Sequence, residues 1–189
     1  MSGERASSRA RRRVDPLVLV RGLPGHPLHP PLTDATIGMY VLAAGLAILG
    51  YAGAIESAAA KGMWLALIGG LIASVPTALT GLVDWLSIEW GSPRWRTATL
   101  HLSAMVTAVA LFALAAWQQY DGYRHGHVGA GGLVLTLCGV VVLTVGGWLG
   151  GSLVFVHATR VIADGTPPVD ERAATVQVGE NVDRGGRVR

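Results

Sequence analysis

Four long apolar runs dominate the sequence, at residues 33–51, 63–86, 97–117 and 132–157. A helix needs about 20 mostly apolar residues to cross the hydrocarbon layer of a bilayer, and each run is about that long. The runs are rich in Ala, Leu and Gly, whereas strands of a membrane barrel have about 10 residues of alternating polarity. Since 51% of the residues are hydrophobic and only 14% are charged, lipid is the expected solvent. The sequence predicts an all-α fold, an integral membrane four-helix bundle.

Three regions follow from this pattern. Residues 1–24 form a basic N-terminal segment, residues 25–161 form the four-span domain, and residues 162–189 are polar without apolar periodicity. We expect the last region to be a disordered tail. The connectors between the runs are short, so consecutive helices should be antiparallel neighbours.

The basic residues predict the orientation in the membrane. Thirteen of the 15 Lys and Arg residues lie at the two ends of the chain or between the second and third runs. The other two, Lys61 and Arg124, lie in the remaining connectors. The positive-inside rule therefore predicts that both termini are cytoplasmic. We read the basic charge as topological rather than as a nucleic-acid surface, because no groove-reading motif accompanies it.

Ionisable residues converge at one end of the predicted bundle, where the first and third helices begin and the second and fourth end. These residues are His26, His29, Asp34, Asp84, His101 and His157. We expect Asp34, with Thr33, to cap the first helix. Ionisable groups near hydrocarbon are costly and usually face the bundle interior, so the remaining residues are candidates for a functional site.

Histidines on separate helices at one depth suit the axial ligation of a haem b. We expect His29, His101 and His157 to be the cofactor-binding histidines. Gly150 lies two helical turns before His157, and we expect it to let a flat cofactor approach the helix backbone. Close packing between helices is the alternative explanation of this glycine.

A single transition-metal ion is the other cofactor that these residue types suit. His26, His29, Asp84 and His101 offer imidazole and carboxylate ligands for zinc, copper or iron. An iron-sulfur cluster within this chain is excluded, because Cys138 is the single cysteine.

The chain resembles a family of uncharacterised bacterial four-span membrane proteins known as a domain of unknown function. The resemblance covers residues 25–161 and is carried by GHPLHP at 25–30, ALTGLVDW at 78–85, His101 and GWLGGSLV at 147–154. Some relatives are joined to a Rieske iron-sulfur domain. The resemblance implies a multi-pass protein of the bacterial inner membrane, a redox setting, and a Rieske-type or other electron-transfer protein as partner. This chain departs from the family pattern in having a short polar tail in place of a Rieske domain and in lacking the Asn that often follows the histidine of the third helix.

Three functions remain open. The first is a redox-associated subunit that binds haem b or a metal through the His/Asp cluster. The second is a non-catalytic membrane anchor or assembly subunit, in which the cluster only pins helix ends. The third is a proton or small-solute transporter, for which hydroxyl groups below the cluster are few. The chain contains no nucleotide-binding loop, nucleophile elbow or metalloprotease motif, so we do not expect a self-contained enzyme.

Overall fold

A computed structural model describes residues 22–23 and 26–159 of the chain. A two-residue antiparallel ladder, β1 (Gly22–Leu23) with β2 (His26–Pro27), precedes the helices. The four helices are α1 (His29–Tyr51), α2 (Glu56–Leu86), α3 (Pro93–His125) and α4 (Ala130–Phe155). All four are long and apolar enough to cross a membrane, which confirms the predicted all-α bundle. Most of the predicted basic segment 1–24 and the whole predicted tail 162–189 lie outside the described residues.

Helix α1 begins one helical turn before the apolar run that predicted it. Pro30 and Pro31 occupy its first turn, where a backbone N–H has no intrahelical partner and proline is therefore tolerated. Thr33 lies inside the helix, and its hydroxyl donates to the carbonyl of His29 at 2.9 Å. Asp34 is exposed, and no acidic residue lies in the first turn. The predicted Thr33–Asp34 cap is therefore wrong.

The other helices also extend beyond their apolar runs. The connectors shrink to residues 52–55, 87–92 and 126–129, because the polar flanks contain Ala, Glu, Lys and Gln, which favour helix. Ser92 caps α3 by accepting a bond from the Trp95 N–H at 3.1 Å. Gly126 ends α3 with φ of 79°, a left-handed conformation that glycine adopts at low cost. At 33 residues and about 1.5 Å each, α3 exceeds the hydrocarbon thickness and must project into water.

The four helices run up and down around a square. Helices α1 and α3 each pack against both α2 and α4, so α1 and α3 lie on one diagonal. The starts of α1 and α3 and the ends of α2 and α4 therefore share one end of the bundle, as the sequence predicted. We call it the histidine end, because His29 and His101 lie there.

Two aromatic rings fill the centre of the bundle. Tyr40 of α1 and Phe112 of α3 stack across the diagonal, with ring centroids 3.7 Å apart and an interplanar angle of 8°. Each ring also lies against a glycine of the next helix. A Cβ atom added to Gly70 would come 2.6 Å from the Tyr40 ring, and one added to Gly139 would come 2.6 Å from the Phe112 ring. Glycine at these two positions is what brings the helices close enough to enclose the rings.

The outer surface is apolar and carries aromatic residues near both ends. Large apolar side chains such as Leu42, Ile72, Val106 and Val141 are exposed along the four helices, as contact with lipid requires. The rings of Trp85, Trp90 and Trp95 cluster at the histidine end, and those of Trp64, Tyr120 and Tyr123 cluster at the other. Such belts are typical of the two membrane–water interfaces.

Replacing Gly139 by Ala should destabilise the bundle, because the new methyl group overlaps the Phe112 ring within a packed core. We expect a loss of about 1 to 3 kcal/mol in the free energy of unfolding. Gly147→Ala on the same helix is the control, since no atom lies within 4 Å of its added Cβ. Thermal unfolding in detergent, followed by tryptophan fluorescence, measures both variants. Equal transition temperatures would contradict the ring-on-glycine packing.

Candidate functional site

His29 is the first residue of α1, and α2 fixes the orientation of its ring. Its Nδ1 lies 3.0 Å from the carbonyl oxygen of Thr77 and 3.1 Å from the hydroxyl oxygen of Thr80. The Thr80 hydroxyl itself donates to the Thr77 carbonyl at 2.8 Å. Because a carbonyl only accepts, Nδ1 must carry the proton. The neutral ring therefore has its lone pair on Nε2, which points away from the Thr77 carbonyl.

His101 lies in the third turn of α3 and is held in the same way by α4. Its Nδ1 lies 2.8 Å from the carbonyl oxygen of Gly146. This bond again requires a proton on Nδ1 and leaves the lone pair of the neutral ring on Nε2. Within the residues that the structure describes, the hydrogen bonds of His29 and His101 involve only Nδ1.

A glycine lies against each imidazole. A Cβ atom added to Gly81 would come 2.7 Å from Cε1 of His29, and one added to Gly150 would come 3.1 Å from Cε1 of His101. Gly150 was expected to admit a flat cofactor, and the flat group that it contacts here is the imidazole of His101. A contact between Gly150 and a cofactor stays a prediction.

The two histidines and Asp84 form one electrostatic group. Asp84 and His101 lie near enough to His29 for their charges to act on its imidazole. All three are half-buried, and they come from α1, α2 and α3. Their convergence matches the expectation that inward-facing ionisable residues gather here.

His26 and His157 have other neighbours. His26 is exposed on the ladder, where its backbone pairs with Leu23. Nε2 of His157 lies 3.3 Å from the Thr97 hydroxyl, at an open cavity of about 430 Å³ that Arg94 and Glu89 also line. Residues 22–23 and 26–159 contain no group of three or more His, Cys, Asp or Glu side chains placed to hold a metal ion. The metal site of His26, His29, Asp84 and His101 therefore stays a prediction, and so does ligation by His157.

The sequence did not reveal three parts of this site. Gly81 and the carbonyls of Thr77 and Gly146 hold the imidazoles, yet no single-helix pattern marks them. The sequence does contain one signal. His29 and Tyr40 are separated by the same number of residues as Gly70 and Gly81. This spacing is close to three full helical turns, so the two members of each pair share a helix face.

Replacing Gly81 by Ala should move the His29 ring and break its bond to the Thr77 carbonyl. We expect a loss of about 1 kcal/mol in the free energy of unfolding, the usual net value of one hydrogen bond. Gly69→Ala on the same helix is the control, because its added Cβ meets only Met39 at 3.5 Å. The cost of Gly81→Ala should vanish in a His29→Ala background. An undiminished cost in that double-mutant cycle would show that the imidazole is not what Gly81 accommodates.

Comparison with known proteins identifies a family. The family described as predicted membrane protein (DUF2231) matches residues 25–163. No curated protein and no solved structure matches the chain. The matched region contains all four helices together with His29, Asp84, His101 and Gly150. The chain belongs to the DUF2231 family of predicted membrane proteins.

Proposed function

We propose that this protein is a membrane-embedded redox subunit in which His29 and His101 hold one b-type haem. The observation that carries the proposal is the shared geometry of the two rings: each Nδ1 is bonded to a helix carbonyl, and Nε2 is left with its lone pair. Metal-ligating histidines almost always donate their other N–H to a carbonyl, a carboxylate or a water, which fixes the tautomer and the ring orientation.

The number of ligands favours haem over a bare ion. A structural zinc site has four protein ligands and a catalytic one has three, whereas the described residues bring together no group of three placed to hold a metal. A haem supplies four nitrogen ligands of its own, so two imidazoles complete the coordination of its iron. A bound haem would supply reversible one-electron transfer. The bare-ion site remains the second candidate for the same histidines.

The polar contacts of α1 and α2 argue against a transport path. The hydroxyls of Thr36 and Thr77 lie 3.0 Å apart, and those of Tyr40 and Ser74 lie 2.8 Å apart. Beyond the Tyr40 ring, most of the fully buried residues that the structure describes are apolar, such as Ala43, Met63 and Leu67. The fully buried polar side chains there, Gln119 and Thr136, already donate to backbone carbonyls of their own hairpin. A proton or solute that entered at the histidine end would therefore find few polar groups to carry it further.

A structural anchor is the competing function, because the same two hydrogen bonds also pin α1 to α2 and α3 to α4. It differs from the redox role in one respect. An anchor needs only the hydrogen bonds that the Nδ1 atoms make. A haem subunit also uses the Nε2 atom of each ring, to bind the iron.

The setting that suits this role is the bacterial inner membrane, with both termini and the histidine end on the cytoplasmic side. The support is the positive-inside rule applied to the 13 basic residues on that side. A Rieske-type or other electron-transfer protein is the partner that such a subunit requires. We expect no catalytic residues within this chain itself.

The purified protein should be coloured, with a Soret band that shifts on reduction by dithionite. Two imidazoles on one iron give a low-spin spectrum, so His101→Ala should abolish that spectrum. His125→Ala is the matched control, because His125 is exposed at the opposite end of the bundle beside Asp121. Absorption spectra and haem analysis of the same detergent-solubilised samples provide the readout.

Two results would reject the haem. A colourless protein with stoichiometric zinc, copper or iron would favour the bare ion. A colourless, metal-free and folded protein that takes up no added haemin would favour the anchor.

Reporter fusions should place the histidine end in the cytoplasm. Fusions after Arg94 and at the C-terminus are expected to report a cytoplasmic location, and fusions near Glu56 and Arg124 an external one. Paired alkaline phosphatase and fluorescent-protein fusions make the measurement. An external reading after Arg94 would reverse the proposed orientation.

A further inference from the structure

We infer that the chain consists of two copies of one helical hairpin, and that the cofactor lies on the pseudo-two-fold axis between them with His29 and His101 as equivalent axial ligands. Hairpin one is α1 with α2, and hairpin two is α3 with α4. The inference rests on the proposed haem and adds its position and coordination.

The first helices of the two hairpins match at a constant offset. The interval along the chain from His29 to His101 equals the interval from Tyr40 to Phe112, whose rings stack in the bundle centre. The segments that follow these rings also agree in sequence: YVLAAGLAILGY at 40–51 and FALAAWQQYDGY at 112–123 share LAA and the final GY at the same offset.

The second helices, α2 and α4, also match at a constant offset, which is slightly shorter than the offset between α1 and α3. The residues that match at this offset make the same contacts in both hairpins. The carbonyl that holds His29 belongs to Thr77, and the carbonyl that holds His101 belongs to Gly146. The interval from Thr77 to Gly146 recurs between Gly81 and Gly150, the glycines against the two imidazoles. It recurs again between Gly70 and Gly139, the glycines against the two central rings.

These contacts define the axis of the pseudo-symmetry. Helices α1 and α3 run in the same direction on one diagonal, and the Tyr40 and Phe112 rings meet across it. If α1 and α3 are equivalent, the pseudo-two-fold axis must be parallel to the helices and pass between the Tyr40 and Phe112 rings. On both helices the histidine precedes the ring by about three turns, or roughly 16 Å. His29 and His101 therefore lie on opposite sides of the axis at one depth.

The hairpins differ in almost every other polar residue of this face. Hairpin one has Thr36, Ser74, Thr80 and Asp84 at positions where hairpin two has Ala108, Leu143, Leu149 and Leu153. His101 thus keeps its imidazole while the hydroxyl and carboxylate groups around the equivalent His29 have no counterpart. His101 keeps its bond to the Gly146 carbonyl, but hairpin two offers no polar cluster for it to complete. If both imidazoles bind the same metal atom, His29 and His101 have the same function.

A planar metal macrocycle is the ligand class that fits two such imidazoles. It presents two equivalent faces, and its metal has one vacant axial position on each. Placed on the axis, with its plane parallel to the helices and between the hairpins, it would receive one imidazole on each face. No other residue of the chain is needed as a ligand, which leaves His26 and His157 outside the coordination.

The test compares His29→Ala and His101→Ala in the full-length purified protein, with His157→Ala as control. Both single variants should lose the low-spin signal in electron paramagnetic resonance to the same extent, and free imidazole should restore it in each. The control should keep the spectrum of the unsubstituted protein. Size-exclusion chromatography and circular dichroism check that each variant is folded.

Methionine variants keep the inference testable if the alanine variants fail to fold. His29→Met and His101→Met retain a ligand, and a His/Met pair raises the midpoint potential of a haem. Equivalent ligands predict similar increases in the two variants, whereas a structural histidine would leave the potential unchanged.

Three outcomes would overturn the inference. A coloured protein in which only one of the two histidines affects the spectrum, or in which His157→Ala removes it, rejects the axial pair and leaves the haem subunit intact. A colourless protein with one stoichiometric metal ion rejects the macrocycle and leaves a metal-binding role. A folded, colourless, metal-free protein that takes up no haemin rejects both the inference and the proposed function.

Discussion

The contact between a flat ring and a glycine organises this bundle at two depths. In the middle of the membrane, Tyr40 and Phe112 lie against Gly70 and Gly139 and stack on each other. About three turns closer to the histidine end, the imidazoles of His29 and His101 lie against Gly81 and Gly150. A glycine inside a helix costs about 1 kcal/mol relative to alanine in water. In lipid, where no hydrophobic force drives helices together, the close approach that glycine permits offsets that cost through packing.

The two depths differ in how the rings meet their surroundings. The Tyr40 and Phe112 rings fill the centre of the bundle and stack face to face. The imidazoles are held by their edges instead, through bonds from Nδ1 to the carbonyls of Thr77 and Gly146. Most other hydroxyls of the bundle donate to a carbonyl of their own helix, as Ser74 does to Gly70 and Thr136 to Gly132. Such local bonds satisfy a polar group without specifying a neighbour. The histidine bonds cross between helices, so they fix both the pairing and the depth of the site.

Much of the fold could be predicted from the sequence, because apolar length and basic flanks are properties of a single chain segment. The four helices and their common histidine end, to which His29, Asp84 and His101 belong, follow from those properties. The start of α1 lies one turn before its apolar run, because Pro30 and Pro31 suit the first turn of a helix. The contacts of His157 could not be predicted either. Helical periodicity assigns a residue to a face of its own helix, and it does not reveal which residue of a neighbouring helix that face meets. Gly150 shares a stripe with His157, but its contact is with His101, while His157 pairs with Thr97. The proposed repeat of the hairpin also required the structure, because few residues are identical between the halves and the equivalent contacts join different helices.

If His29 and His101 hold one metal as proposed, the two hairpins would surround it with different charges. A pseudo-two-fold axis makes the positions of His29 and His101 equivalent, but it does not make the charges around them equivalent. Asp84 acts on His29, whereas the corresponding residue of hairpin two is Leu153. In a medium of low dielectric constant, a carboxylate on one side of a metal favours the more positive oxidation state. The backbone of the two hairpins would thus set the coordination, and the side chains of hairpin one alone would set the potential. Under this proposal, the polar lining of hairpin one could change without disturbing the pair of histidines.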